Sequence, residues 1–166
     1  MKLPAKELMT TDFVTIRPEA LVSEAATLIF HGKIRPTGYK PFGIMVTDDF
    51  QRLVGMISMH DILYHLRPPF MNYDMEHNLI WEDELEPYMD KFEELTVEQI
   101  MSTPVVTASP EDHFIVLIDR MIKTGARRIP VVEGDKILGI VYLSDVFHRL
   151  CSLWLDQDKD ERTRQR

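Results

Sequence analysis

Two places in the chain carry acidic and hydroxyl side chains at a spacing that suits ligand binding. Ser58 and Asp61 are three residues apart at a predicted helix start, and Asp145 occupies the matching position further along. Side chains at a helix start lie beside backbone N–H groups that have no partner within the helix. A carboxylate there can accept hydrogen bonds from both cis hydroxyls of a sugar such as ribose, and the helix N-terminus favours a nearby phosphate. Simple capping of the helix is the alternative for both carboxylates, and it stays open.

The second place departs from the first. Tyr142 stands where the first has Ser58, and Ser144 is displaced by two positions. We expect Ser144 to point elsewhere, while Tyr142 can stack or form a hydrogen bond instead.

The sequence contains no catalytic constellation. His60 and His65 are five residues apart, so they do not share the i, i+4 helix face of a zinc pair. Cys151, the single cysteine, suits a buried small residue better than a nucleophile. Neither a Gly-x-Ser-x-Gly elbow nor a P-loop is present, so we predict no enzyme activity, no metal site and no required cofactor.

The elements that position these residues occur twice. Residues 6–19 (KELMTTDFVTIRPE) match residues 98–111 (EQIMSTPVVTASPE) at an offset of 92. Residues 53–63 (LVGMISMHDIL) match residues 137–147 (ILGIVYLSDVF) at an offset of 84. The difference requires about eight extra residues in the first copy, and they fall in the Gly/Pro-rich stretch 31–42. The chain is therefore a duplicated unit.

Hydrophobic periodicity predicts the same order of elements in each copy, namely strand, helix, strand, strand and helix. One copy alone buries too little apolar surface, so we expect the two to pair in an α+β fold. In the first copy we predict a strand at 13–16, a helix from Pro18-Glu19, strands at 44–46 and 53–57, and a helix from Ser58. In the second copy we predict a strand at 105–108, a helix from Pro110-Glu111, strands at 129–132 and 137–142, and a helix from Ser144.

Between the copies we predict an acidic, partly helical connector, residues 67–95. Its residues 70–95 contain nine acids and one base, which equals the whole formal charge of −8. Leu85, Tyr88, Met89 and Phe92 recur at helical spacing. This helix either covers one flank of the paired copies or binds a partner protein. The tail 156–166 has no apolar residue, and we predict that it is disordered.

Composition excludes several classes of protein. An acidic chain is poorly suited to nucleic acid or anionic membranes. One cysteine rules out an internal disulfide framework, and no apolar run is long enough to span a membrane. The N-terminus lacks an apolar signal core, so we expect a cytoplasmic protein.

The duplicated pattern resembles a tandem pair of CBS domains, the cystathionine-β-synthase type of regulatory module. The resemblance covers residues 4–66, with the loop insertion 31–42, and residues 96–151. It is carried by the motifs Ile100–Thr107, Arg128–Val132 and Gly139–Asp145, and by Leu8–Thr11, Val14-Thr15 and Gly55–Asp61 in the first copy.

The resemblance implies a stand-alone Bateman module whose repeats pack by their sheets about a pseudo-twofold axis. Similar proteins bind AMP, ADP, ATP or S-adenosylmethionine as regulatory ligands in the clefts between repeats, and commonly form homodimers. It implies that the Asp of the Gly-x-x-Ser/Thr-x-x-Asp motif holds the ribose. The implied ligand-binding residues are Asp61, Ser58, Asp145, Tyr142, Thr15, Val14, Thr107, Val106, Thr11, Thr103 and Arg128.

The inserted loop adds Lys33, Arg35 and Lys40. Clamping an anionic ligand is one role for them, but we expect these side chains to be solvated.

We therefore predict a non-enzymatic sensor that binds an adenosine compound and transmits this to a partner, with no membrane association. Two alternatives stay open. One is a structural dimerisation or docking module with degenerate sites. The other is a nucleic-acid-associated regulator, for which the only basic clusters are the inserted loop and the tail.

Overall fold

The computed structural model describes residues 2–68, 71 and 85–164 of the chain. Its helices and strands confirm the α+β class. In chain order they are α1 Ala5–Leu8, β1 Thr15–Ile16, α2 Val22–Phe30, β2 Gly43–Thr47, β3 Leu53–Ser58, α3 Met59–Leu66, α4 Leu85–Glu93, α5 Val97–Ile100, α6 Phe114–Thr124, β4 Arg128–Glu133, β5 Lys136–Tyr142 and α7 Leu143–Arg164.

The chain forms two compact units, named here after their candidate carboxylates. The Asp61 unit comprises Val14–Lys33 and Lys40–Val105, and the Asp145 unit comprises Met1–Phe13, Ile34–Tyr39 and Val106–Arg166. The opening segment of each repeat thus belongs to the unit built on the other repeat.

The Asp61 unit is built on a three-stranded sheet in the order β1-β2-β3. β1 pairs with β2 in parallel, Thr15 opposite Met45, and β2 pairs with β3 antiparallel, Ile44 opposite Ile57. Every residue of the central strand β2 is buried. The core of this unit is Ile16, Val22, Ala25, Ile29, Ile44, Val46, Ile57, Val97 and Ile100.

The Asp145 unit is built on the β4–β5 hairpin. Glu133 pairs with Lys136 across a two-residue turn in which Gly134 has a φ of 58°, as the Glu-Gly-Asp signal predicts. The predicted strand 105–108 is reduced to one parallel bridge, Ala108 to Val131. The core of this unit is Leu3, Ala5, Ala108, Phe114, Leu117, Met121, Ile129, Val131, Val141 and Val146.

The first long helix of each repeat begins later than we predicted, and the cause is the same in both units. Leu21 is extended and bridges Thr96, so α2 begins at Val22 and not at Pro18-Glu19. His113 is extended and bridges Pro4, so α6 begins at Phe114 and not at Pro110-Glu111. A residue held in a β bridge cannot have helical dihedral angles, and the helix therefore starts directly after it.

The structure also bears on two further predicted segments, the connector and the C-terminal tail. Part of the connector, residues 69–70 and 72–84, lies outside the described residues, but α4 carries the four apolar residues for which we predicted a helix. At the other end α7 continues to Arg164, into the segment 156–166 that we predicted to be disordered. No Gly or Pro occurs in residues 143–164 to end this helix earlier.

The two matching glycines, Gly55 and Gly139, should differ in their tolerance of a methyl group. A Cβ at Gly139 would lie 2.7 Å from the backbone oxygen of Thr10, whereas a Cβ at Gly55 would meet the flexible side chain of Met101. We predict that Gly139→Ala lowers the free energy of unfolding by about 1–3 kcal/mol, and Gly55→Ala by less. Urea denaturation of both variants measures this, and equal losses would contradict it.

Arg120 and Asp112 tie α6 to the segment that precedes it. Arg120 Nη1 donates to the Thr107 carbonyl and to Asp112 Oδ2, each at 2.8 Å, and Ser109 N–H donates to the same Asp112 oxygen at 3.0 Å. Burial alone would raise the pKa of Asp112, but these hydrogen bonds and the charge of Arg120 outweigh it and lower the pKa.

Because the folded-state pKa of Asp112 is lowered, its stabilising effect is present above the unfolded pKa of about 3.9 and is lost as the pH falls through the folded value. We predict that Asp112→Asn costs about 1 kcal/mol at pH 7 and that this difference shrinks towards zero under acid. Denaturant titrations of wild type and variant between pH 7 and pH 3 measure it. A difference independent of pH would refute the role of the charge.

Candidate ligand-binding sites

The Asp61 site is built on the junction of β3 and α3. β3 ends at Ser58, which is extended and serves as the N-cap of α3, as predicted from the sequence. Asp61 N–H donates to Ser58 Oγ at 3.2 Å, and Ser58 N–H donates to Asp61 Oδ2 at 2.8 Å. Ser58 Oγ also donates to Oδ2, at 2.7 Å. These reciprocal hydrogen bonds form a capping box. Capping of the helix therefore accounts for Oδ2, one of the two oxygens of Asp61.

The second oxygen of Asp61 contacts a residue that we did not predict from the sequence. Ser102 Oγ donates to Asp61 Oδ1 at 2.8 Å. Backbone bonds hold Ser102 beside β3, since Met56 N–H donates to the Ser102 carbonyl at 3.1 Å and Ser102 N–H donates back at 2.8 Å. Ser102 is exposed, and a carboxylate oxygen accepts more than one hydrogen bond, so Oδ1 retains capacity for a further donor.

Three further predicted residues belong to the same unit. Val14, with 58% of its surface exposed, Thr15 on β1 and Thr103 beside Ser102 are all in the Asp61 unit. Strand β2 lies between β1 and β3, so Thr15 is not adjacent to Ser58 in the sheet. The structure brings Ser58, Asp61 and Ser102 into direct contact, while Thr15 lies on the far strand of the sheet and Val14 directly precedes that strand.

The Asp145 site has a different occupant. Tyr142 ends β5, and Asp145 lies in the first turn of α7. Arg35 Nη1 donates to Asp145 Oδ2, and Thr37 Oγ1 donates to Oδ1 at 2.9 Å. Ser144, which we expected to point elsewhere, accepts a hydrogen bond from Arg35 Nη2 at 3.0 Å. Both oxygens of Asp145 are therefore bonded to residues of the inserted loop.

The guanidinium of Arg35 also stacks on an aromatic ring. Its central carbon lies 3.8 Å from the centre of the Tyr142 ring. Burial raises the pKa of the Tyr142 hydroxyl, and the charge of Asp145 adds to the rise while Arg35 and Arg128 oppose it. A neutral phenol ring at pH 7 attracts a cation over its face, which adds to the hold on Arg35.

Our expectation that Arg35 is solvated was wrong. Its side chain is only 8% exposed, and that of Asp145 is 11% exposed. The loop presents the side chain from a tight turn, in which Gly38 N–H donates to the Arg35 carbonyl at 2.8 Å and Arg35 N–H donates to the Tyr39 carbonyl at 2.9 Å. Pro36 at the second position and Gly38 at the fourth are the residues such a turn favours.

The other predicted residues of the second site belong to the Asp145 unit. Arg128 begins β4 and is paired with Tyr142 across the hairpin. Thr11 follows Thr10, whose backbone bridges Ile140, and Val106 and Thr107 are half-buried.

Among the described residues, no group of three or more His, Cys, Asp and Glu side chains is arranged to hold a metal ion. No described helix combines the length and apolar character needed to cross a bilayer.

Comparison with known structures gives close matches in fold. The CBS domain of a CBS domain-containing membrane protein from Sphaerobacter thermophilus is 30% identical, with 89% of this chain and 87% of that chain covered and a TM-score of 0.64. CBSX2, whose structure contains AMP, is 22% identical, with 90% and 97% covered and a TM-score of 0.65.

A curated relative extends the similarity beyond solved structures. An uncharacterized protein of Methanocaldococcus jannaschii is 22% identical over 152 residues, which are 91% of this chain and 44% of that protein. The chain thus spans less than half the length of the curated relatives it matches. The family model of the CBS domain matches residues 5–68 and 97–152, one range for each copy of the duplicated unit. The resemblance found in the sequence is confirmed, and the chain belongs to the CBS domain family as a tandem pair of repeats.

Proposed function

We propose that this protein is a non-enzymatic regulatory module that binds an adenosine-containing ligand, an adenine nucleotide or S-adenosylmethionine, and transmits its presence to a partner. One observation carries the proposal. In each repeat a carboxylate, Asp61 or Asp145, lies in the first turn of a helix that directly follows a strand. This is where a ribose can be held by a carboxylate and a phosphate by free backbone N–H groups.

The Asp61 site supports the proposal in detail. Capping occupies Oδ2 of Asp61, and within the described part of the chain only the hydroxyl of exposed Ser102 contacts Oδ1. A ribose hydroxyl donates the same kind of hydrogen bond as a serine hydroxyl, so exchange of one for the other leaves the carboxylate satisfied. The complex of the CBS protein CBSX2 with AMP supports a nucleotide as the ligand here.

The mode of action we propose is a population shift. A ligand that binds one arrangement of the protein more tightly than another increases the share of that arrangement, and a partner that contacts it responds. The acidic connector is the surface that we propose for this partner.

Nucleotide binding is tested on protein freed of copurifying small molecules by calorimetric titration with AMP, ATP and S-adenosylmethionine. We expect at least one of the three to bind wild type. We expect Asp61→Asn to weaken that binding about tenfold, because a carboxylate accepts hydroxyl donors more strongly than a neutral amide.

The matched control is Asp135→Asn, which removes the same charge from the exposed turn between β4 and β5. It should bind as wild type does. Absence of binding of all three ligands to wild type, or an equal loss of affinity in both variants, would overturn the proposal.

A second candidate function is a structural module that forms dimers, with its sites filled by its own side chains. The contacts of Arg35 and Thr37 with Asp145 favour it. So does an exposed apolar face of α7, where Phe147, Trp154 and Leu155 have 62%, 58% and 62% of their surfaces exposed. We propose a homodimer through this face.

The dimer is tested by light scattering coupled to size-exclusion chromatography. Wild type should have the mass of two chains, and Phe147→Glu should shift it to one, because burying a charge without a partner is unfavourable. Phe50→Glu is the control, since Phe50 is 78% exposed in the turn between β2 and β3 and lies outside α7. A wild-type mass of one chain would contradict the dimer.

A further inference from the structure

The Asp145 site cannot take a ribose in the arrangement described above, because side chains of the inserted loop already use its carboxylate. Arg35 holds one oxygen and Thr37 the other. As far as the described residues 2–68, 71 and 85–164 show, this is the one of the two candidate sites with a cation bonded to its carboxylate. A ligand that is to use Asp145 must first replace Arg35.

The free energy needed to displace Arg35 from Asp145 differs between ligands. The side chains of Arg35 and Asp145 are both about nine-tenths buried, and a buried charge that loses its partner is strongly destabilised. A nucleoside offers Asp145 two hydroxyl donors but leaves the guanidinium without an anion. A nucleotide offers the same hydroxyls together with a phosphate, which a guanidinium binds in a bidentate manner.

We propose that Arg35 makes the Asp145 site selective for phosphorylated adenosine ligands. The guanidinium exchanges the Asp145 carboxylate for the phosphate of the ligand, and the freed carboxylate accepts the ribose hydroxyls. This inference rests on the proposed function and deepens it, since it states which of the proposed ligands the Asp145 site binds, namely those that carry a phosphate.

The surroundings of Arg35 suit such an exchange. The turn from Arg35 to Tyr39 is held by its own backbone hydrogen bonds, so the side chain can rotate while the turn stays intact. Nε of Arg35 is buried without a hydrogen bond among the described residues, so the guanidinium has a donor left for an incoming phosphate. Thr37 contributes a hydroxyl, which a ribose hydroxyl replaces like for like. Movement of the guanidinium also uncovers the face of Tyr142, on which a planar base can stack.

The experiment compares AMP with adenosine in an Asp61→Asn background, so that the Asp145 site dominates the binding signal. Calorimetry measures the dissociation constants of AMP and of adenosine, and their ratio, for the protein that retains Arg35 and for the Arg35→Gln variant. With Arg35 present we expect AMP to bind at least about tenfold more tightly than adenosine, the factor that a charge-assisted hydrogen bond provides. With Arg35→Gln the ratio should fall to about one to threefold, because the glutamine amide has no charge to be compensated.

The matched control is Arg52→Gln, which removes a positive charge from an exposed ion pair with Asp48 and should leave the ratio unchanged. Arg35→Lys is a second variant that retains the charge without the planar fork, and it should keep a preference for AMP smaller than that of Arg35. Circular dichroism melting establishes that each variant is folded.

The possible outcomes separate the two proposals. An AMP to adenosine ratio that Arg35→Gln leaves unchanged overturns this inference while the proposed function stands. Absence of binding by AMP and adenosine to wild type and to every variant overturns this inference, and the proposed function falls with it only when ATP and S-adenosylmethionine do not bind wild type either. A ratio that falls in Arg35→Gln and in Arg52→Gln alike also overturns the inference, because the effect is then one of net charge.

Discussion

Backbone groups at the edge of a β-sheet need hydrogen-bond partners, and in this protein the opening segment of one repeat provides them for the sheet of the other. Thr10 exchanges both backbone hydrogen bonds with Ile140 of β5, and Ser102 exchanges both with Met56 of β3. The core of each unit includes residues of the segment that it receives, such as Leu3 and Ala5 in one and Val97 and Ile100 in the other. Each unit therefore requires sequence from both repeats.

The same exchange determines what the candidate sites contain. Because Ser102 lies beside β3, its hydroxyl reaches Asp61, a residue 41 positions away in the sequence. Thr11 is brought by its segment into the Asp145 unit, and Thr103 into the Asp61 unit. The opening residues of a repeat thus belong with the carboxylate of the other repeat. A site described from one repeat alone would be assembled from the wrong residues.

The two carboxylates occupy matching positions but have different electrostatic surroundings. Among the residues that the structure describes, Asp61 is bonded to hydroxyl and amide donors, whereas Asp145 forms an ion pair with buried Arg35. The difference arises from the insertion, which is present in the first copy and absent from the second. A duplicated motif has in this way acquired two unequal sites. Hydroxyl groups of Ser58 and Ser102 contact one carboxylate, and the buried guanidinium of Arg35 contacts the other.

The sequence by itself determined the duplication, the two hairpins and the Ser58 cap of α3, because periodicity, turn residues and capping act over a few residues. It also determined the position of both carboxylates at helix starts. Only the tertiary structure decided where α2 and α6 begin, since these starts depend on bridges to Thr96 and Pro4. It also decided the contact of Ser102 with Asp61 and the burial of Arg35 against a residue 110 positions away. An arginine in a Gly/Pro-rich loop is expected to be solvated. The residues next to Arg35 in the sequence do not show that the Asp145 carboxylate and the Tyr142 ring contact it in the folded chain.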